Sequence, residues 1–219
     1  MEASERVDVD DDDRQLRRAL QGDRAAWGAL LARHRGRLRR MVALRLDRRL
    51  QGRIDPSDVI QEAFLDAMNR LEEYARDPRP MPFFLWLRFL AGQRLQMLHR
   101  HHLGARARDP AREVALPWGR LPEATSAALA AQLLGHDTRA SEALLRAERK
   151  LRLQEALNGM VPIDREVLAL RHFEQLSNGE CARVLEISES AATKRYVRSL
   201  LRLKEILAAL PGGASEFRP

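Results

Sequence analysis

Cysteine is all but missing from this chain: among its 219 residues only Cys181 carries a thiol. No internal disulfide can form, which suits a reducing compartment, and a lone thiol inside a helix reads as a small buried side chain. Glycine (12 residues) and aromatics (5%) are also scarce. With leucine, alanine and arginine dominant, long helices are expected rather than sheet. No apolar run approaches the ~20 residues that cross a bilayer, because Arg88 interrupts the most apolar stretch, Phe83 to Ala91. The first thirteen residues, with Asp8 and Asp10 to Asp13, have neither the basic start nor the apolar core of a signal peptide. A soluble, cytoplasmic protein without a membrane partner is the expectation. Phosphate-loop and dinucleotide fingerprints are missing. His99, His101 and His102 stand near no cysteine or carboxylate at a zinc spacing. Asp58 and Glu62 lie one helical turn apart, but that spacing is also ordinary solvation of a helix. Neither an enzyme, nor a metal site, nor a cofactor, nor a small-molecule substrate is therefore expected.

What the chain does have is positive charge, 38 Lys and Arg against 31 Asp and Glu for a net +7, which favours a polyanionic partner. The pattern is all-α, with two small helical domains joined by a flexible linker. Residues 1–13 read as a disordered acidic leader. Residues 14–104 form the first domain, where Leu30, Leu31, Leu38, Met41 and Val42 make an apolar stripe beside an arginine-rich face. Asp55 caps a further helix, with Pro56 at its first position and Asp58 in its first turn. Val59, Ile60, Ala63, Phe64, Ala67, Met68 and Leu71 then recur at helical spacing. Asp77 to Pro82, with three prolines, breaks the chain before a helix from about Phe83 to His101. Residues 105–140, interrupted by Pro110, Pro117, Gly119, Pro122 and Gly135, read as a linker holding one short Ala-rich helix. Residues 141–210 form the second domain, and 211–219 a loose tail.

The second domain ends in a helix-turn-helix pattern. Ser177 and Glu180 have capping-box spacing; Ala182, Leu185 and Ile187 supply the buried side and exit of that helix. Ser188 caps a second helix whose apolar side runs through Tyr196, Val197, Leu200 and Leu203, with Lys194, Arg195 and Arg198 facing away. A short helix, a tight turn and a cationic second helix are what a major-groove reader needs.

Two sets of residues carry a family resemblance. Asp58-Val-Ile-Gln61-Glu62-Ala-Phe64 resembles the core-binding helix of bacterial sigma-70-type factors, and Phe83-x-x-Trp86-Leu87 with Ala91 and Gln93-Arg94 is similar to their segment that recognises and melts the −10 element. In the C-terminal half, Arg165-Glu-Val-Leu-Ala-Leu-Arg-His-Phe173, Leu176-Ser-Asn-Gly-Glu-Cys-Ala182 and Ala191-Ala-Thr-Lys-Arg195 resemble the −35-binding domain. The chain departs from the usual pattern at Phe89, where a basic residue is common, and at Gln93, where asparagine is common. The length leaves room for two domains and a tether, so the resemblance is to the short, extracytoplasmic-function type.

That resemblance implies a sigma factor that binds core RNA polymerase and directs promoter-specific initiation. Asp58, Gln61, Glu62 and Asp66 are then expected to face core polymerase. Arg88, Gln93, Arg94, His99 and Arg100 are expected at −10 DNA, with Arg106 also on phosphates. Ser190, Lys194, Arg195, Tyr196 and Arg198 are expected at −35, with Lys194 and Arg195 nearest the bases and Arg198 and Arg202 nearer phosphates or solvent. Trp86 and Phe84 are read as core rather than base-stacking residues. Core polymerase, promoter DNA and an anti-sigma factor are the implied partners. The alternative is a stand-alone helix-turn-helix regulator that works outside any polymerase complex.

Overall fold

A computed structural model describes residues 2–77, 81–103, 113–116, 119–122, 124–134 and 143–209. The chain is built from helices α1 (Glu2–Leu20), α2 (Arg24–Arg45), α3 (Pro56–Asn69), α4 (Leu71–Arg76) and α5 (Phe83–Leu103), a hairpin of β1 (Glu113–Leu116) and β2 (Gly119–Pro122), then α6 (Ser126–Leu133), α7 (Ala143–Asn158), α8 (Pro162–Leu168), α9 (Asn178–Leu185) and α10 (Glu189–Ala209). It is an all-α fold with one small hairpin. Two compact units result, one of Met1–Val42 and Asp47–Ala107, the other of Ala43–Leu46 and Arg108–Pro219.

In the first unit, Asp23 begins α2 by accepting from the backbone N–H groups of Ala25 and Ala26 at 2.9 and 3.0 Å. Asp55 does the same for α3, accepting from the Ser57 N–H at 2.7 Å. Helix α3 packs along α5, burying Val59, Ile60, Ala63 and Ala67 together with Leu87, Leu90 and Leu95. The apolar repeat overshoots at its end: Met68, expected inside, is 52% exposed. Six rings lie together where α5 begins. Tyr74 stacks on Trp86 with centroids 4.3 Å apart, Trp27 and Phe83 meet edge to face at 6.1 Å, and His34 lies 5.4 Å from Phe84. The Tyr74 hydroxyl donates to the Met81 carbonyl at 2.5 Å, fixing the chain just before α5. Trp86 and Phe84 are buried, as expected of core residues.

The acidic leader departs from expectation, for Glu2–Leu20 is helical. The reason is charge: Asp12 meets Arg33 at 2.8 Å and His34 at 2.9 Å, and Asp11 also pairs with Arg33. Burial alone gives this segment little reason to order. The ordering partner, Arg33, lies 21 and 22 residues on from Asp12 and Asp11.

The second unit begins well before residue 141. Its hairpin pairs Val114 with Leu121 in antiparallel register, and Thr125 caps α6 by accepting from the Ala128 N–H at 3.1 Å. Leu129 and Ala130 of α6 are buried in one core with Leu153, Leu157, Met160, Leu168, Phe173, Leu203 and Ile206. Part of the expected tether is therefore a structural member of this unit. Arg106, the Gly104 break, residues 78–80 of the proline-rich loop and the 211–219 tail lie outside the described residues.

Candidate functional site

Three surfaces hold the residues singled out by the sequence. On α3, Asp58, Gln61 and Glu62 are exposed, with Leu65 beside them 57% exposed. Asp66 is different. Its carboxylate is engaged by Arg94 of α5, whose guanidinium also lies 3.5 Å from Glu62. Asp66 faces the seam between α3 and α5, so a residue expected to greet a partner is neutralised within its own unit. Arg94, expected on DNA, is the cation that does it.

Along α5 the expected −10 residues divide. Gln93 and Arg100 are exposed. Arg88 is 3% exposed, on the buried side of the helix, which removes it from any phosphate contact in this conformation. His99 is half-buried and its Nε2 accepts from the Asp47 N–H at 3.1 Å, fixing the chain beyond α2. Burial holds this imidazole below its usual pKa, with a smaller push the same way from Arg49 and an opposing one from Asp47. A neutral acceptor is a poor phosphate ligand. The exposed histidines at this end are His101 and His102.

The helix-turn-helix is built as its sequence dictates. The Ser177 hydroxyl accepts from the Glu180 N–H at 3.1 Å while the Glu180 carboxylate accepts from the Ser177 N–H at 2.7 Å, completing the capping box of α9. Glu186 turns the chain with φ 52°, in the left-handed region, and the Ile187 N–H closes back on the Ala182 carbonyl at 3.0 Å. Ser188 accepts from the Ala191 N–H at 3.2 Å to open α10, and Asn178 of α9 donates to the Glu189 carbonyl at 3.0 Å.

Helix α10 sorts its residues into an inner and an outer side. Ala192, Ser199, Leu203 and Ile206 are buried. Ser190, Thr193, Lys194, Val197, Arg198 and Leu201 are exposed. Arg195 turns inward, donating to the Asp164 carboxylate of α8 at 2.9 Å. Tyr196 packs beside the core, under the Arg171 guanidinium at 5.3 Å. Two of the five expected −35 residues are therefore struts, and Thr193 and Val197 take places on the outer side. Their signal was in the sequence: at 100° per residue, Val197 falls back over Ser190 after two turns. Its apolar character suggested the core instead.

The motif residues upstream are struts too. Arg165 donates to the carbonyls of Met160, Leu157 and Asn158 at 2.8, 3.3 and 3.3 Å, closing the C-terminus of α7. Arg171 donates to the Leu176 carbonyl at 2.6 Å. Within the same unit, the fully buried Arg45 donates to Glu166 and Glu174, each at 2.5 Å, and to the Pro122 carbonyl at 2.8 Å. Nothing in the local sequence pairs residues so far apart. Among the described residues no group of side chains is arranged to hold a metal ion, and no helix is long and apolar enough to cross a membrane.

Residues 150–203, which cover α8, α9 and most of α7 and α10, match the family "Sigma-70, region 4". Over 201 residues the chain is 28% identical to the RNA polymerase sigma factor NccH of Alcaligenes xylosoxydans xylosoxydans, covering 90% of this chain and 94% of that protein. The second unit thus carries a sigma-70 region 4, and the chain is similar over nearly its whole length to a sigma factor. The fold agrees: a structure of CnrH in complex with the cytosolic domain of CnrY superposes with a TM-score of 0.53 at 22% identity, covering 92% of this chain and 99% of that one. Among the described residues, the carboxylates of Asp58 and Glu62 on α3 and the cations of Lys194 and Arg198 on α10 stand on exposed faces.

Proposed function

We propose that the chain is a sigma factor of the extracytoplasmic-function type that binds core RNA polymerase, selects promoters through −10 and −35 elements and assists their melting. The observation that carries the reading is the pairing, in one chain, of an outward acidic face on α3 with an outward cationic face on a helix-turn-helix. Asp58, Gln61 and Glu62 dock on a basic surface of core polymerase. Lys194 and Arg198, with Ser190 and Thr193 on the same outer side, enter the −35 major groove. Gln93, Arg100, His101 and His102 lie along the −10 DNA, where unpaired bases are held beside cationic side chains once the duplex opens. Opening costs stacking energy, and the contacts already made at α3 and α10 offset it. No step calls for catalysis by the factor itself.

A protein partner that restrains the factor belongs to the same proposal, supported by the solution of CnrH in complex with the cytosolic domain of CnrY. Run-off transcription with purified core polymerase on a randomised promoter library tests the whole. Start sites chosen only when the chain is added support the proposal. Specific DNA binding that needs no core enzyme, with no start-site selection, would establish the stand-alone regulator instead.

A further inference from the structure

Val197 stands out on α10. Half of its surface is in water (50% exposed) although valine gains by burial, and its neighbours on the outer side are Ser190, Thr193, Lys194 and Arg198. A single exposed valine is unremarkable on most surfaces. This one lies in the first half of the helix that follows the turn, which is the part of such a helix that reaches base edges. It stands two turns beyond Ser190, roughly 10.5 Å along the axis, or about three base-pair steps. It can neither donate nor accept a hydrogen bond, so the one base-edge group it can recognise is apolar. Only thymine offers such a group in the major groove, its C5 methyl.

We propose that Val197 is a specificity-determining residue that reads one thymine methyl in the −35 element, between contacts made by Lys194 and Arg198. This rests on the reading of α10 as the helix that enters the groove. Leu201, 58% exposed one turn further on, extends the apolar line past the turns that face bases. The thymine contact is therefore assigned to Val197 alone.

The test uses holoenzyme assembled from the full chain and core polymerase. It is offered two duplex libraries randomised over the upstream element, one containing thymine and the other deoxyuridine in every thymine position. The wild type should enrich a thymine at one position and lose about fourfold in preference there when the methyl is missing. Val197→Ala should lose the same factor on thymine DNA and be indifferent to deoxyuridine. Lys194→Ala should bind more weakly yet keep its sensitivity to the methyl. If a motif is enriched but methyl sensitivity survives in Val197→Ala, or no position senses the methyl in the wild type, the assignment to Val197 is overturned while the −35 reading stands. If assembled holoenzyme enriches no upstream motif at all, the −35 reading itself falls, and this inference with it.

Discussion

At the scale of single residues, charge alone is a poor guide to which arginines meet DNA. Arg195 and Asp164 are partly buried, with side chains 31% and 14% exposed, and they join α10 to α8. Arg195→Ala and Asp164→Asn should each lower the stability of the second unit by about 1 kcal/mol. The double variant should lose less than the sum, as urea denaturation will show. A reader of bases would behave otherwise, changing selectivity with little change in stability. Cation counting could not separate Arg195 from Lys194, its neighbour in sequence, because only the helical angle turns one inward. His99 carries a pH signature of its own. Its folded pKa lies below the unfolded value near 6.5, so the unfolded chain takes up the proton first as pH falls. Stability is complete above pH 6.5 and declines below it, toward the lower folded value. Thermal melts across that window should show the decline in the wild type and a flatter profile in His99→Gln, whose side-chain carbonyl can still accept from Asp47.

Elements were legible where local chemistry decides them. Asp55 with Pro56 marked the start of α3, and Ser177 with Glu180 that of α9. Each cap forms between residues a few positions apart, so the sequence contains the whole interaction. Element ends set by distant partners were not legible. The helix at the acidic N-terminus depends on Arg33 and His34, and Met68 leaves the apolar stripe where α3 runs past its neighbour. The turn between α9 and α10 shows a different economy. Glu186 occupies the left-handed region, where a side chain costs about 1 kcal/mol that glycine avoids. Glu186→Gly should therefore raise the denaturation midpoint of the second unit with its helices unchanged, as circular dichroism and urea titration will reveal. A drop in stability would mean that the Glu186 side chain contributes more than its backbone conformation costs.

For the molecule as a whole, the division into two helical units could be read from two patterned regions separated by a Pro- and Gly-rich stretch. The extent of the second unit could not, because the burial of Leu129 and Ala130 depends on Leu153 and Leu157, beyond the apparent linker. The proposed function requires both outward faces. Glu62→Lys should abolish copurification with core polymerase by setting like charges together, while lowering the melting temperature only slightly, because the Arg94 contact it gives up is largely solvent-exposed. Unchanged copurification would remove α3 from the proposed docking surface. The sorting of α10 has a consequence for how such a protein diversifies. Its anchoring side chains point inward, and Ser190, Thr193, Lys194, Val197 and Arg198 all lie on the outer side. If the proposed −35 reading holds, exchanging Ser190, Thr193, Lys194, Val197 and Arg198 should thus retarget the chain to new promoters without refitting the scaffold.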